Sequence, residues 1–279
     1  MVEAALMVAF ASVLSLFKLV EMPYGGSVTF ASMLPIVVVA YRHGTGTGLA
    51  AGLVYSVIQQ LLGLNTLSYF TAWYSIIAVM LLDYLLAFTV VGFGGIFRGA
   101  LSRTGMLSKA GSQKAELGTG MALVCIFRYI LHTVGGATVW AGLSIPTEAA
   151  LVYSIGYNAT YMLPETIISV LVAVWIGGVI DFSRDVPTRF APSAEKSFSP
   201  FAAALPSISA LVLSAAVITS VVLIAPHIQD ADDGHFTFAL LGEVNWIAVA
   251  IVLAVGVLLS LAAYVAYVII KKRASATEV

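Results

Sequence analysis

Five ionisable residues lie inside long apolar stretches of this chain, where a charged side chain is costly and is therefore a candidate for function. They are Lys18, Asp83, Arg128, His132 and Glu165, with Asn158 as a neutral polar companion. A carboxylate, an imidazole and an amide can together hold a small ligand by hydrogen bonds, because the amide offers both a donor and an acceptor. The chain has no H-E-x-x-H motif and no paired metal-ligand motif, so the sequence predicts no metal and no cofactor.

Composition places these polar residues in a membrane protein. Hydrophobic residues make up 60% of the 279 positions and charged residues only 10%, against about a quarter in a soluble domain. The apolar runs are continuous and lack the alternation of membrane strands, so they predict helices. Eight runs are long enough to cross about 30 Å of hydrocarbon, and we place them at 2–20, 27–42, 46–63, 70–97, 118–143, 148–180, 201–226 and 245–270.

Charged residues in the connections between these spans are sorted by sign. The connections after even-numbered spans and the C-terminal tail carry the bases Arg42, Arg98, Arg103, Lys109, Lys114, Arg184, Arg189, Lys196, Lys271, Lys272 and Arg273. The other connections carry no Lys or Arg, only the acids Glu21, Glu148, Asp230, Asp232, Asp233 and Glu243. This is the positive-inside pattern, so we expect both termini to be cytoplasmic.

A polar, Pro- and Ser-rich stretch divides the chain into two unequal parts. We expect a six-helix membrane domain at 1–182, a cytoplasmic linker at 183–200 and a two-helix membrane extension with a basic tail at 201–279. The fold class predicted is therefore an all-α integral membrane protein. No internal repeat indicates a transporter built from two inverted halves.

The candidate polar residues lie at nearly one depth in their helices. Counted from the outer ends of the spans, Asp83 is about 13 residues down, His132 about 11 and Asn158 about 10, at 1.5 Å per residue. Above them, the same helices carry the aromatic residues Trp73, Tyr84, Trp140 and Tyr153. Because ring faces attract cations, this set predicts an outward-facing pocket for a flat, positively charged heteroaromatic ligand.

Several of these residues also have a simpler structural interpretation. Trp73 and Trp140 could belong to the aromatic belt at the membrane interface, and His132 could be an interhelical hydrogen-bond partner. Arg128 and Glu165 lie deeper than the pocket residues. We expect them to form a structural ion pair, because either one alone would be an unpaired buried charge.

Four stretches within the first 182 residues resemble the S-components of energy-coupling factor (ECF) vitamin transporters, and the thiamine-specific branch in particular. They are EMPYGGSVTFASMLPIVVVAYRHGTGTGLAAGLVYSVIQQLLG at 21–63, LLDYLLAF at 81–88, RYILHTVGGATVWAG at 128–142 and YSIGYNATYMLPE at 153–165. The resemblance implies a six-helix bundle in a prokaryotic plasma membrane that captures thiamine outside the cell. It also implies association with a membrane coupling subunit and two ATP-hydrolysing subunits.

The family's binding residues carry over onto positions of this chain that match its motifs. In span four the acidic anchor falls on Asp83, where the family usually has Glu, and is followed by Tyr84. The remaining positions are Trp73 in span four, His132 and Trp140 in span five, and Tyr153 and Asn158 in span six. The family's aromatic lid residue corresponds to Tyr24. Spans seven and eight lie outside the family pattern.

Small residues near the start of the first span suggest a contact surface. Ala5 and Ala9 form an A-x-x-x-A pair on one helical face, which permits close helix–helix approach. The resemblance implies that this motif contacts the coupling subunit. Internal packing within the bundle is the alternative.

The sequence is also compatible with other functions. The ligand could be another small heterocycle, such as a pyrimidine precursor or a different vitamin. The chain could also be a self-sufficient secondary transporter or channel, or an intramembrane enzyme that uses Asp83, His132 and Glu165. We expect no enzymatic activity, because no nucleophile adjoins a base in the sequence. The expected partners are the ligand, the ECF subunits and the lipid bilayer, and not nucleic acid.

Overall fold

The computed structural model of the protein describes residues 1–22, 25–105, 107–143, 145, 147, 149–190, 200–227 and 239–276. Most of these residues are helical. The principal helices are α1 (Val2–Leu16), α2 (Leu34–His43), α3 (Thr45–Leu62), α4 (Trp73–Val79), α5 (Ala87–Thr89), α6 (Lys109–Thr138), α7 (Ala150–Val179), α8 (Pro200–Ile224) and α9 (Trp246–Ala276). A π-helical segment at Met80–Leu86 joins α4 to α5, and a 3-10 segment at Val90–Gly95 follows α5. Another short 3-10 helix spans Ala239–Glu243.

Within the described residues, four helical stretches are long and apolar enough to cross a membrane. They are Trp73–Gly95, Lys109–Thr138, Ala150–Val179 and Trp246–Ile270. Shorter apolar helices lie at Val2–Leu16, Leu34–His43 and Leu211–Ile224. The prediction of a helical membrane protein is therefore confirmed, while the number of eight crossings remains a prediction.

A β-hairpin replaces the helix predicted at the facing ends of the first two spans. Helix α1 ends at Leu16 and α2 begins at Leu34, and between them strands β1 (Lys18–Glu21) and β2 (Ser27–Thr29) pair antiparallel. A turn through Gly25 and Gly26, both at positive φ, joins the strands. An apolar run does not by itself distinguish strand from helix, which explains the wrong boundary. We call β1, β2 and the described turn residues 22, 25 and 26 the capping hairpin.

Helix α2 forms the centre of the bundle. Its residues from Leu34 to Arg42 are buried, and it contacts α1, α3 and α6. A helix that is apolar on every side is suited to this position. The irregular backbone before α2 is also enclosed by protein, since Val28, Ala31 and Met33 are buried. Non-helical backbone is tolerated at membrane depth only where protein or water can satisfy it.

The bundle is tied together at the end where α1 and α6 begin. Arg42 is buried and pairs with Glu3, and its guanidinium donates to the backbone carbonyls of Phe182, Arg184 and Asp185. The first residues of the predicted linker are therefore fixed against α2. A short strand pair, β3 (Ile180–Asp181) with β4 (Thr188–Arg189), follows α7. The predicted division into domain, linker and extension itself remains a prediction.

Asp181 is the acid of a second polar cluster at this end. Its carboxylate accepts from Lys109 at 2.8 Å, from the Ser183 hydroxyl at 2.6 Å and from Arg184 at 3.2 Å. Burial alone would raise the pKa of Asp181, but these hydrogen bonds outweigh burial and hold its pKa well below the ordinary value. The cluster joins the start of α6 to the end of α7.

The C-terminal helices form a pair beside the six-helix part. Helices α8 and α9 pack on one another, and Ser209 and Ser260 share a hydrogen bond at 2.8 Å across the pair. Helix α8 also contacts α7 and strand β1. Most of the α9 surface is exposed and apolar, as a lipid-facing helix requires.

Candidate functional site

A cavity of about 630 Å³ opens beside the capping hairpin, at the end of the bundle away from the Arg42 and Asp181 clusters. The outer ends of α1 and α3, the hairpin, the π-helical segment, α6 and α7 all contribute to its wall. The polar groups in this wall include Asp83, Arg128, His132 and Asn158. Ligand sites typically have volumes of about 300–1,000 Å³, so the cavity has the size of a small-molecule site.

Asp83 lies at the centre of a hydrogen-bonded group in this wall. Its Oδ1 lies 3.0 Å from Nδ1 of His132, and its Oδ2 accepts from Nε1 of Trp140 at 2.8 Å. Asp83 occupies the π-helical segment, a rare geometry that often occurs at functional sites. The Asp83 side chain is 14% exposed and that of His132 is 11% exposed, so the carboxylate is largely removed from bulk solvent.

Glycine at position 135 allows α6 to approach this carboxylate. A Cβ atom at Gly135 would lie 2.8 Å from Oδ1 of Asp83. At the next position, a Cβ on Gly136 would lie 2.2 Å from Oγ of Ser154 on α7. The two glycines therefore permit the close packing that brings three helices together at the site.

The imidazole of His132 links Asp83 to Arg128. Nη2 of Arg128 lies 3.4 Å from Nε2 of His132. Because a guanidinium can only donate, Nε2 must accept, and Nδ1 must carry the proton that His132 donates to Asp83. The two hydrogen bonds therefore run in one direction: Arg128 donates to His132, and His132 donates to Asp83.

Asn158 is held mainly by protein groups. Its Nδ2 donates to the Ser154 carbonyl at 2.9 Å and to the His132 carbonyl at 3.2 Å, and its Oδ1 accepts from the Tyr161 hydroxyl at 2.6 Å. These bonds join α6 to α7 next to the cavity. One lone pair of Oδ1 remains to accept a hydrogen bond from a ligand.

The predicted ion pair between Arg128 and Glu165 does not occur in the described part of the chain. Arg128 instead lies 4.5 Å above the ring of Phe88 and donates to the sulfur of Met33 at 2.9 Å. Glu165 accepts from the backbone N–H and, at 2.8 Å, from the hydroxyl of Thr29. The prediction failed because it treated residues 27–33 as helix. Strand β2 leaves a backbone N–H that needs an acceptor, and Glu165 supplies it.

The predicted aromatic residues divide between the cavity and the surface. Trp140 and Tyr84 line the cavity, and the Tyr84 hydroxyl donates to the Gly63 carbonyl at 3.1 Å. Trp73 is 72% exposed and is not among the lining residues, which agrees with the interfacial-belt alternative. Tyr153 packs beside Trp140 in an apolar cluster without lining the cavity. Tyr24, the predicted lid residue, lies outside the described residues.

Comparison with known proteins identifies the family. Residues 1–180 match the family described as thiamine transporter protein. The chain belongs to this thiamine transporter family. Among curated relatives, the thiamine transporter ThiT of Bacillus subtilis is 29% identical over 174 residues, which cover 62% of this chain and 86% of that protein. ThiT of Lacticaseibacillus paracasei is 26% identical over 212 residues, which cover 72% of this chain and 94% of that protein.

A solved structure supports the same fold. ThiT from Listeria monocytogenes superposes with a TM-score of 0.52 at 24% identity, covering 63% of this chain and 91% of that one. The resemblance inferred from sequence motifs is therefore confirmed at the level of the family. The family match ends at residue 180, so helices α8 and α9 lie outside it.

Several residues of the cavity wall were missed by sequence reasoning. Tyr161 is buried at one turn from Asn158 and packs edge-on near His132, with ring centroids 6.3 Å apart. Tyr157 donates from its hydroxyl to the carbonyl of Gly25 at 2.8 Å and so holds the capping hairpin. The i, i+3 spacing of Asn158 and Tyr161 is a signal that could have identified Tyr161, because such residues share a helical face.

The cavity rim also contains polar groups that were not predicted to line the pocket. Lys18 and Glu21 of β1 form an exposed ion pair, and both line the cavity. Gln59 of α3 donates to Ser15 of α1 at 2.8 Å beside them. These contacts could not be predicted from the sequence, because they depend on the position of β1 over the cavity.

The site of this thiamine transporter family member is suited to binding. One partly desolvated carboxylate and several ring faces favour a cationic aromatic ligand. Among the described residues, no group of three or more His, Cys, Asp and Glu side chains could hold a metal ion. The family is one of transporters, and the groups in the cavity wall can form hydrogen bonds and ring contacts with a ligand.

Proposed function

We propose that this protein is the thiamine-capturing S-component of an energy-coupling factor importer and takes up its ligand from outside the cell. The observation that carries the proposal is the Asp83 carboxylate, held by His132 and Trp140 in the wall of the 630 Å³ cavity. The family membership and the names of the two curated relatives support thiamine as the ligand.

The chemistry of thiamine fits this arrangement. Thiamine has a positively charged thiazolium ring and an aminopyrimidine ring, and both are flat. The Asp83 carboxylate can compensate the charge or accept from the amino group, while Trp140 and Tyr157 offer ring faces. A desolvated cation over a ring face is stabilised by about 2 kcal/mol. Arg128 also lines the cavity and repels positive charge, so a ligand with one cationic ring should bind better than one with two.

Equilibrium binding to the purified full-length protein tests the proposal. Trp140 lies in the cavity wall, so a bound ligand should change the tryptophan fluorescence. We expect saturable binding of thiamine. Unlabelled thiamine should displace bound labelled thiamine. No change in fluorescence and no heat on titration with thiamine at micromolar concentrations would refute thiamine as the ligand.

A different small heterocycle is the second candidate, and the observation that favours it is Asp83 itself. The related family pattern usually has Glu at this position, so this chain presents a shorter acid to the ligand. Competition by an aminopyrimidine precursor and by other vitamins against labelled thiamine distinguishes the two. Displacement at lower concentration by another compound would identify that compound as the ligand.

We further propose that α1 contacts the ECF coupling subunit through Ala5 and Ala9. Both alanines are exposed, whereas Ala4, Val8 and Ala11 pack into the bundle. The pair therefore lies on the outward face of α1, which supports a contact with another helix. Copurification with a coupling subunit and two ATP-hydrolysing subunits tests this proposal. Ala9→Leu should prevent copurification, while Ala262→Leu, at an exposed position of α9, should not.

The protein is proposed to reside in the plasma membrane with both termini in the cytoplasm. The basic connections predicted to be cytoplasmic include Arg42 and Lys109, which meet at the end of the bundle away from the cavity. With this orientation the cavity opens outside the cell. Protease digestion of a terminal tag in sealed right-side-out vesicles tests the orientation, and cleavage without lysis would contradict it.

A further inference from the structure

Helix α8 of the C-terminal pair contacts the part of the protein that covers the cavity. Residues beyond 180 lie outside the family match. Nevertheless α8 contacts both α7 and strand β1 of the capping hairpin. From this extension, Ile218 and Ile224 of α8 and Leu241 of the short helix before α9 pack against a buried apolar cluster.

This cluster is shared with the cavity wall. Its buried members are Met22, Val28, Tyr161, Met162 and Ile168. Met22 and Tyr161 also line the cavity. A movement of the extension away from the cluster would therefore loosen residues that contact the space where a ligand binds.

The capping hairpin has few interactions of its own. Its strands have four and three residues, and their register is irregular between Lys18 and Val20. An isolated two-stranded hairpin is at best marginally stable in water, and packing against a helix is one way to stabilise it. In strand β2 the Thr29 hydroxyl donates a hydrogen bond to Glu165, and in the turn the Gly25 carbonyl accepts one from the Tyr157 hydroxyl. Strand β1 also contacts α8.

We propose that the extension is a brace for the capping hairpin. By packing Ile218, Ile224 and Leu241 against the Met22 cluster, it holds β1 over the cavity and slows the exchange of the bound ligand. These three are positioning residues, because they do not line the cavity themselves. The consequence for ligand exchange rests on the proposed function, whereas the bracing of the hairpin does not.

Thiol labelling measures the bracing without any ligand. Met22 is 4% exposed and the native Cys125 is 1% exposed. A Met22→Cys protein should therefore react slowly with a maleimide, and the parent protein supplies the blank. Adding Ile224→Ala to Met22→Cys should raise the labelling rate about tenfold, the factor that corresponds to about 1.4 kcal/mol. Val222→Ala is the matched control, because Val222 lies on the same helix and is 51% exposed.

The dissociation rate of thiamine measures the consequence for the ligand. In the full-length protein, Ile224→Ala should raise the dissociation rate by about the same tenfold factor, while Val222→Ala leaves it unchanged. Ile224→Val keeps most of the side chain and should restore the slow rate. A slow rate restored in Ile224→Val would indicate that the side chain positions the hairpin. The melting temperature of each variant shows whether the protein is still folded.

The outcomes separate the brace from the ligand. Faster labelling in Ile224→Ala in a protein that binds no thiamine would support the brace and refute the proposed function. Equal labelling and dissociation rates in Ile224→Ala and in the parent would overturn the brace while thiamine binding stands. Equal acceleration by Val222→Ala and Ile224→Ala would also overturn it, because the effect would not depend on contact with the Met22 cluster.

Discussion

Substituting Gly135 by alanine should weaken ligand binding without unfolding the protein. The new Cβ would lie 2.8 Å from Oδ1 of Asp83, whereas ordinary contacts begin at 3.4 Å, so the carboxylate must move by about 0.6 Å. Such a shift disturbs the bonds at 3.0 Å to His132 and at 2.8 Å to Trp140. Hydrogen bonds to a charged group contribute about 1.5–3 kcal/mol each. A displaced carboxylate that loses one such bond to the ligand itself should raise the dissociation constant for thiamine by roughly tenfold to a hundredfold.

A matched glycine on the neighbouring helix provides the control for this prediction. A Cβ at Gly178 would meet its nearest neighbour at 3.6 Å, an ordinary contact. Both substitutions replace helical glycine by alanine and so gain up to about 1 kcal/mol of helix propensity. Isothermal titration calorimetry with thiamine and thermal melting of both variants supply the measurements. Unchanged affinity in Gly135→Ala, with melting like that of Gly178→Ala, would refute the assignment of the Asp83 group as the binding centre.

Three further changes test separate parts of the site and the fold. Trp140→Phe removes the donor to Asp83 and should raise the thiamine dissociation constant about tenfold, whereas Trp73→Phe, at an exposed position, should leave it unchanged in the same titration. Glu165→Ala leaves the Thr29 N–H without its acceptor and should lower the unfolding free energy by about 1–3 kcal/mol in a denaturation experiment; an unfolding free energy equal to that of the parent would contradict a stabilising role for the Glu165–Thr29 hydrogen bonds. The folded-state pKa of Asp181 is depressed, so its stabilisation is full above the unfolded value of about 3.9 and is lost as pH falls through the folded value. The melting temperature should therefore fall less between neutral and acidic pH in Asp181→Asn than in the parent. Parallel curves of melting temperature against pH would exclude this contribution of Asp181.

Sequence reasoning was most successful where the physical signal is local. The apolar runs of α6, α7 and α9 are long enough that length and composition alone identify them as membrane helices. The depth count placed Asp83, His132 and Asn158 at one level, and the structure places all three in the wall of one cavity. Their role in ligand binding itself remains a prediction.

The errors arose where tertiary contacts decide the outcome. The two ends of the hairpin, 18–20 and 27–29, were predicted as helix, since Val and Thr in an apolar run fit either structure until a partner strand is known. That error also gave Glu165 a wrong partner, because its acceptor role depends on the buried Thr29 N–H of β2. The outward direction of Trp73 could not be derived from depth, which specifies the height of a side chain but not the side of the helix on which it lies.

The proposed roles of Ala5, Ala9 and the extension illustrate a different limit. Small residues on one helical face indicate that a close contact is possible, but the partner is not encoded in the spacing. Likewise, the simple Leu- and Val-rich pattern of α8 indicates only an apolar helix. Its contact with the capping hairpin became evident from the packing of Ile218 and Ile224 against the Met22 cluster.

Removing the charge of Asp83 tests the central proposal most directly. Asp83→Asn keeps the size of the side chain and removes the carboxylate that His132 and Trp140 hold. Asp185→Asn, an exposed change near the Arg42 cluster, is the matched control. Titration calorimetry should show thiamine binding in the parent and in Asp185→Asn, and binding weakened about tenfold or more in Asp83→Asn. Equal affinity for thiamine in all three proteins would contradict a binding site centred on Asp83.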